Sequence, residues 1–397
     1  MSSKCKILLS GGWGYSNLGD DAILVSSIRL IRDLIENPEI TVISFDPQQT
    51  EETLCDSSIK IVRSAHRSGF GDFPYYELNA YLKSPYLKFS RGVVRRITSR
   101  VLGFIRSFYL SKFESFQCED LDETFAQADL FIMSGGGYFN SWKTMLASRM
   151  WELNAACRNH KKTIVIGQTL GPFLPDQFDA VKFALCDVDV ISVRDPQSVA
   201  DLQTMGYDAR LSPDLALYDV SDVTAGLYAG IIPGGMTPKE IDNLVEVFKS
   251  GELKDFPIKL IVTRLYREDV RIVDRMKNRL EREGFQVYLC VHDSYNTMLS
   301  DILSCRFMVS RNLHGLILAY RAGVPILCVN NERKFIGFME QIKRPEFCLN
   351  LAESTPEEIS ERINEILADS RESVKQELSE QVFDHFQQCL KIVNVLK

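Results

Sequence analysis

The chain has 397 residues, 45% of them hydrophobic and 25% charged, which is the balance of a globular protein long enough for two domains. A net charge of −7 argues against a nucleic-acid partner, and no apolar run reaches the 18 or so residues that a membrane-spanning helix needs. The ten cysteines stand singly with no CxxC pair, so zinc or thioredoxin-type chemistry is not expected and a reducing cytoplasmic setting is.

MSSKCKILLSGGWG moves straight from a short apolar run into glycines and lacks the apolar core and cleavage site of a secretory signal. Short runs rich in Val, Ile and Phe follow at 6–10, 40–45, 129–134, 163–167 and 189–193, with helix-like or irregular sequence between them. Such runs predict a parallel sheet covered on both faces. The pattern restarts at 225–233 and continues through 257–263, 285–291, 306–310 and 325–329, with helices expected at 238–250 and 267–283. Polar and turn residues at 212–224 separate the two series. The expected fold is therefore α/β, two Rossmann-like domains at 1–217 and 222–370 that face a cleft, followed by one helix over 371–397.

Residues 78–113 break this pattern. They hold eight Lys or Arg and no acid, and their apolar positions fit one helical face. A basic amphipathic insertion of this kind predicts contact with an anionic membrane surface.

In open parallel sheets ligands bind beyond the carboxyl ends of the strands, so the loops there carry the functional reading. SGGWGYSNLGDDAIL (10–24) has the glycines of a close backbone approach, with Asn17 pointing from between them and Asp20 and Asp21 opening a helix. One of the two acids is expected to cap that helix, and Asp20 is the one singled out for catalysis. MSGGGYFN (133–140) brings Gly135, Gly136 and Tyr138; IGQTLGPF (166–173) brings Gln168; VRDPQS (193–198) brings Arg194. Arg264 and His292 also follow strands, whereas His66, His160 and His385 have no evident chemical partner. Trp13, Tyr15, Tyr138 and Trp142 near the glycine loops predict stacking on a sugar, which puts the acceptor on the first domain.

SRNLHGLILAYRAGVP (310–325) reads as strand, helix and strand, with Arg311, Asn312 and His314 at the helix entrance. A helix N-terminus with a bidentate guanidinium favours an anionic ligand, and imidazole suits proton transfer near neutral pH.

In order along the chain, GGWGYSNLGDDAIL, SGGGYF, GQTLGPF, VRDPQSVADLQTMG, SPDLAL and SRNLHGLILAYRAGVPILCV, with Lys334 after them, resemble the polysaccharide pyruvyltransferase family. The resemblance runs from residue 11 to about 334 but leaves out the basic segment. It implies a GT-B-like fold and transfer from phosphoenolpyruvate to two hydroxyls of a sugar, giving a cyclic pyruvate ketal and phosphate without a metal or other cofactor. The acceptor implied is a surface glycan or its lipid-linked precursor; the basic segment adds the expectation of a polyprenyl-diphosphate carrier met at the inner face of the cytoplasmic membrane. With that chemistry in view, the residues at the strand ends and helix starts give expected donor contacts from Arg311, Asn312, Leu313, Arg194, Arg264 and Lys334, acid or base work by His314 and Asp20, and acceptor contacts from Asn17, Gly135, Gly136, Tyr138, Gln168 and His292.

Family members often carry Arg-Leu-His in the last motif, where this chain has Asn312-Leu313-His314 and places arginine one position earlier. Two other readings stay open: a nucleotide-sugar glycosyltransferase on the same fold, and a glycan-binding relative without turnover. Against the first, the paired glutamates that such enzymes place before a Gly-Val-Pro turn are absent, and Arg311 and His314 stand in that region.

Overall fold

The computed structural model describes residues 4–15, 17–65, 119–139, 145–173, 178–218, 226–249, 251–263, 267–292, 294–369 and 373–396. The basic segment 78–113, His66, Trp142 and Arg264 lie outside the described residues. Two parallel sheets carry the chain. The first holds β1 (Lys6–Ser10), β2 (Glu39–Ser44), β3 (Lys60–Arg63), β4 (Leu130–Phe139), β5 (Lys162–Leu170), β6 (Val190–Val193) and β7 (Arg210–Leu211), in the order β3-β2-β1-β4-β5-β6-β7. The second holds β8 (Tyr228–Ile232), β9 (Ile258–Val262), β10 (Val287–Val291), β11 (Cys305–Ser310) and β12 (Ile326–Cys328), in the order β10-β9-β8-β11-β12.

Helices α1 (Leu18–Leu34), α2 (Pro47–Leu54), α3 (Glu119–Gln127), α4 (Met145–Arg158), α5 (Phe178–Leu185) and α6 (Pro196–Thr204) connect the first set of strands. The second set is connected and followed by α7 (Pro238–Phe248), α8 (Arg267–Arg282), α9 (Tyr295–Leu303), α10 (Leu313–Arg321), α11 (Arg333–Gln341) and α12 (Pro356–Ala368). A final helix, α13 (Lys375–Ile392), ends the chain.

Successive side chains of a strand point to opposite faces, and here both faces are apolar. Ile7, Leu9, Leu130, Ile132, Ile164 and Ile166 join one core. Leu8, Phe131, Met133 and Val165, which alternate with them, join another. The first of these cores is continuous with the interior of the second sheet through α1, the turn Leu215–Leu217 and α10.

Buried Arg321 at the end of α10 fastens this junction. Its guanidinium donates to the Ala216 and Tyr218 carbonyls, each at 3.0 Å, and to the Tyr295 hydroxyl. The last helix spans the same junction. The Val374 N–H donates to the Tyr320 hydroxyl at 3.0 Å, Phe383 stacks on Tyr218, and Lys162 donates to the Asn394 carbonyl at 3.2 Å. His385, expected to stand without a partner, instead meets the Ser192 hydroxyl at 2.7 Å, because α13 lies back against β6.

Both sheets reverse direction at their first strand. In the first, the chain steps outward from β1 and returns beside it as β4; in the second, it steps outward from β8 and returns as β11. The crevice at such a reversal is where ligands of open α/β sheets sit.

Candidate functional site

At the first reversal, the strand ends lead into the two glycine-rich stretches. Gly136 has φ 86°, a left-handed value that favours glycine, and a β-carbon there would overlap the Tyr138 ring. The aromatic residues turn inward onto this glycine backbone. Trp13 is fully buried, and its indole N–H donates to the Ile43 carbonyl at 2.7 Å. Tyr138 is 2% exposed and donates its hydroxyl to the Ser134 carbonyl at 2.9 Å. Neither ring offers an open face for stacking on a sugar, because the missing side chains of Gly11, Gly12 and Gly136 are the space the rings fill.

Helix α1 begins at Leu18 with Asn17 as its N-cap, but the Asn17 side chain does not cap. Its amide donates instead to Asp20 Oδ2 at 2.6 Å. Asp20 is 8% exposed and Asp21 only 1%. One Asp21 oxygen, Oδ2, is buried with no hydrogen-bond partner. Burial, then the neighbouring charge of Asp20, pushes the Asp21 carboxyl up to about 7 against an opposing hydrogen bond from the Gly14 N–H. The expectation that one acid of the pair is a plain cap is therefore not met: neither side chain caps the helix.

At the second reversal, α10 starts with a satisfied cap. The Asn312 side chain accepts from the Gly315 N–H at 2.9 Å, and Leu313 packs into the core. Arg311 is held by Glu240 at 2.6 Å, and Glu240 also closes the capping box of α7 with Thr237. His314 is nine-tenths buried, and its Nε2 has no partner. Burial lowers its affinity for a proton; Asp214 and Asp20 act against that, while Arg194 and Lys334 act with it.

The two reversals meet at His314. A β-carbon on Gly19, in the first turn of α1, would overlap the imidazole, so glycine there permits the approach of the two helix ends. Arg194 reaches the same place from the end of β6. It pairs with Asp214 and donates from Nε to the Thr169 hydroxyl at 3.0 Å, while the bare Cα of Gly137 faces its terminal nitrogen. Burial opposes the Arg194 charge, and Asp214, together with Asp20 and Tyr138, more than offsets this, so the guanidinium is held more firmly protonated than usual. Gln168, one strand over, is fully buried, and neither atom of its amide has a partner. Buried polar atoms are almost always hydrogen-bonded, and unpaired ones on His314, Asp21 and Gln168 fall at this junction.

The remaining predicted residues lie as follows. Gly135 faces Ile23 of α1. Lys334 is half-exposed beside Glu332 at 3.2 Å, near enough for its charge to act on His314. Its neighbour Arg333 crosses to Asp195, the N-cap of α6 beside the first sheet, at 2.7 Å. His292 is not brought to the site: it follows β10 at the far edge of the second sheet and meets Asp301 at 3.3 Å, where Lys259 also binds.

Arg149 and Glu152, both fully buried in α4, were missed in the sequence. Glu152 accepts from the Ser10 hydroxyl at 2.6 Å and from Arg149 at 2.8 Å, directly beneath the first glycine loop. Arg149 also lies 5.0 Å from the Phe45 ring centroid and 5.7 Å from that of Tyr138. Burial pushes the Glu152 carboxyl up against the pull of Arg149. The available signal was an Arg and a Glu three apart within the mostly apolar helix MLASRMWELNAACR.

The architecture is that of GT-B-like proteins, and comparison with solved structures agrees. The UDP-GlcNAc 2-epimerase of Methanocaldococcus jannaschii superposes with a TM-score of 0.58 at 10% identity, over 98% of this chain and 99% of that one. The calicheamicin glycosyltransferase CalG4 gives 0.50 at 12% identity, over 98% and 99%. At such identities the likeness is one of fold. Residues 17–333 match the family "Polysaccharide pyruvyl transferase", and the chain belongs to that family. A curated relative, the amylovoran biosynthesis protein AmsJ of Erwinia amylovora, is 28% identical over 97 residues, which span 24% of this chain and 23% of that protein.

Proposed function

We propose that the protein moves a pyruvyl group from phosphoenolpyruvate to two hydroxyls of one sugar, closing a cyclic pyruvate ketal and releasing phosphate. The observation that carries this reading is the convergence of both strand reversals on His314, ringed by Asp20, Asp214, Arg194 and Lys334. The reaction needs a proton on the donor's methylene carbon, removal of a proton from each attacking hydroxyl, and cationic support for the leaving phosphate. Burial favours the neutral imidazole of His314, a form ready to accept a hydroxyl proton. Arg194, Lys334 and the N-terminus of α10 are assigned to the donor's anionic groups. Arg311 joins them by exchanging Glu240 for the donor. Asn17, Gly135, Gly136 and Gln168 are assigned to the acceptor, a sugar of a surface glycan or of its polyprenyl-diphosphate-linked precursor. The scheme uses no metal or other cofactor. It places the enzyme in the cytoplasm, at the inner membrane face where a lipid-linked sugar is presented; no helix among the described residues is long and apolar enough to cross a membrane.

Thermal stabilisation tests the donor without knowledge of the acceptor. Phosphoenolpyruvate at a hundredfold its dissociation constant adds about 2.7 kcal/mol, whereas a panel of nucleotide sugars adds nothing. Stabilisation by a nucleotide sugar alone transfers the assignment to glycosyl transfer, a reading the shared fold keeps in view. With the acceptor in hand, His314→Ala lowers turnover by about 10²–10⁴, read as phosphate release; binding of every substrate without phosphate release by the wild type indicates a glycan-binding relative.

A further inference from the structure

Two carboxyl groups are neighbours at the start of α1, and the sequence reading gives a role to Asp20 alone. Helix capping does not account for the second, since the N–H groups of Asp20 and Asp21 both go to the Asn17 carbonyl, at 2.9 and 3.4 Å, and neither acid is the N-cap. Asp21 is more deeply enclosed than Asp20, accepts from the Gly14 N–H, and keeps one oxygen unpaired. Its charged neighbour is Asp20, another anion. Arg194, from the end of β6, feels the Asp20 charge, as do Tyr138 of β4 and His314 of α10, whereas the groups that act on Asp21 include no cation. Asp214, before the turn Leu215–Leu217, is already paired with Arg194. A buried carboxyl beside a like charge, with no cation of its own, holds its proton.

We propose, resting on the pyruvyl-transfer reading, that Asp21 is a positioning residue that stores a proton beside Asp20, and that this pair is the acid complementing His314 as base. The O–H bond of the pair breaks as a C–H bond forms at the donor methylene, using the electron pair of the C=C bond. The cationic C2 is captured by the first acceptor oxygen, whose proton goes to His314. Phosphate departs with the C–O electron pair, and the second hydroxyl closes the ketal. Of the two hydroxyl protons, one restores the carboxyl pair and the other leaves with phosphate. Groups whose surroundings drive their proton affinities apart are a recognised acid–base division.

Carbon NMR of protein labelled at aspartate carboxyls tests the stored proton, and the pH dependence of phosphoenolpyruvate affinity tests its use. One carboxyl is expected to titrate near neutral pH, to vanish in Asp21→Asn, and to titrate lower in Asp20→Asn, which removes the like charge. Donor affinity of the wild type is expected to fall about tenfold more than that of Asp21→Asn between pH 6 and 8. Titration of every aspartate at ordinary acidic values overturns the proposal, as does an identical pH dependence of affinity in wild type and Asp21→Asn. If the near-neutral titration is present but phosphoenolpyruvate binds at no pH, the donor reading fails and the proton's destination fails with it.

Discussion

The two sheet ends that meet at His314 rest on different foundations. Beneath the β1–β4 reversal lies charge: Ser10, Arg149 and Glu152 are fully buried and bonded to one another, with atoms of both charged groups left unpaired. Beneath the β8–β11 reversal lies hydrocarbon: Ile232 abuts Gly315, and Leu316, Ile317 and Leu318 fill the helix behind His314. The helix starts differ in the same sense. Asn312 caps α10 in the usual way, whereas Asn17 gives its side chain to Asp20 and leaves α1 uncapped by it. Apart from the unpaired Nε2 of His314, local rules of stability are kept at the second reversal, and they are broken repeatedly at the first. Such breaches concentrate where function competes with stability. The second sheet therefore presents one prepared imidazole from a rigid apolar mount, and the first holds the buried charges and polar groups arranged around it.

The charged foundation gives the largest expected effect. Glu152→Ala strands the Arg149 guanidinium in the core and is expected to cost about 3–5 kcal/mol in urea unfolding. The double variant Arg149→Met, Glu152→Leu is expected to recover most of that loss, because it removes both charges and restores volume. A double variant as unstable as Glu152→Ala would show that the pair is not the source of the cost. An equal loss for Ile232→Val, whose expected cost is only about 0.5–1.5 kcal/mol, would erase the contrast between the two foundations.

The meeting point itself comes next. Gly19→Ala places a methyl group against the Cβ and ring of the buried His314, so a cost of about 1–3 kcal/mol and loss of turnover are expected. Gly137→Ala is the control. The nearest atom to a β-carbon there is 3.7 Å away on Arg194, and melting should move by no more than about 0.5 kcal/mol. If both variants melt alike, the close approach of the helix ends is not what glycine at 19 serves.

Much of this was legible in the sequence. The Val- and Ile-rich runs marked the strands of both sheets, because strands covered on two faces read as continuous apolar segments. The edge strands β3 and β7 escaped: KIVR is half charged, and Arg210–Leu211 is only two residues long. The glycine loops and the His314-Gly315 helix start were visible because they need residue types that a core does not. What the residues at those places touch was less visible. Asp20-Asp21 looked like cap chemistry, and only the direction of the Asn17 side chain shows otherwise. Arg311 looked poised for a ligand, but Glu240, 71 positions away in sequence, holds it. Trp13 and Tyr138 looked like sugar platforms, yet each ring folds into the hollow that a neighbouring glycine leaves, a contact that spacing along the chain does not encode.

The smallest effect isolates the difference between the two helix starts. Asn312→Ala removes the bond to the Gly315 N–H and should cost about 1 kcal/mol, the usual value of an N-cap. Asn17→Ala removes no cap bond, so the cap contribution to its cost is absent. It does release Asp20 Oδ2 from its 2.6 Å partner beside the buried Asp21. The expected pattern is a crossover: Asn312→Ala melts lower, while Asn17→Ala melts near the wild type and turns over more slowly. Two asparagines at equivalent helix positions would then be doing different work, one for the fold and one for the carboxyl pair. Equal melting losses in the two variants, with equal turnover, would mean that both serve as caps in solution and that Asp20 does not depend on Asn17.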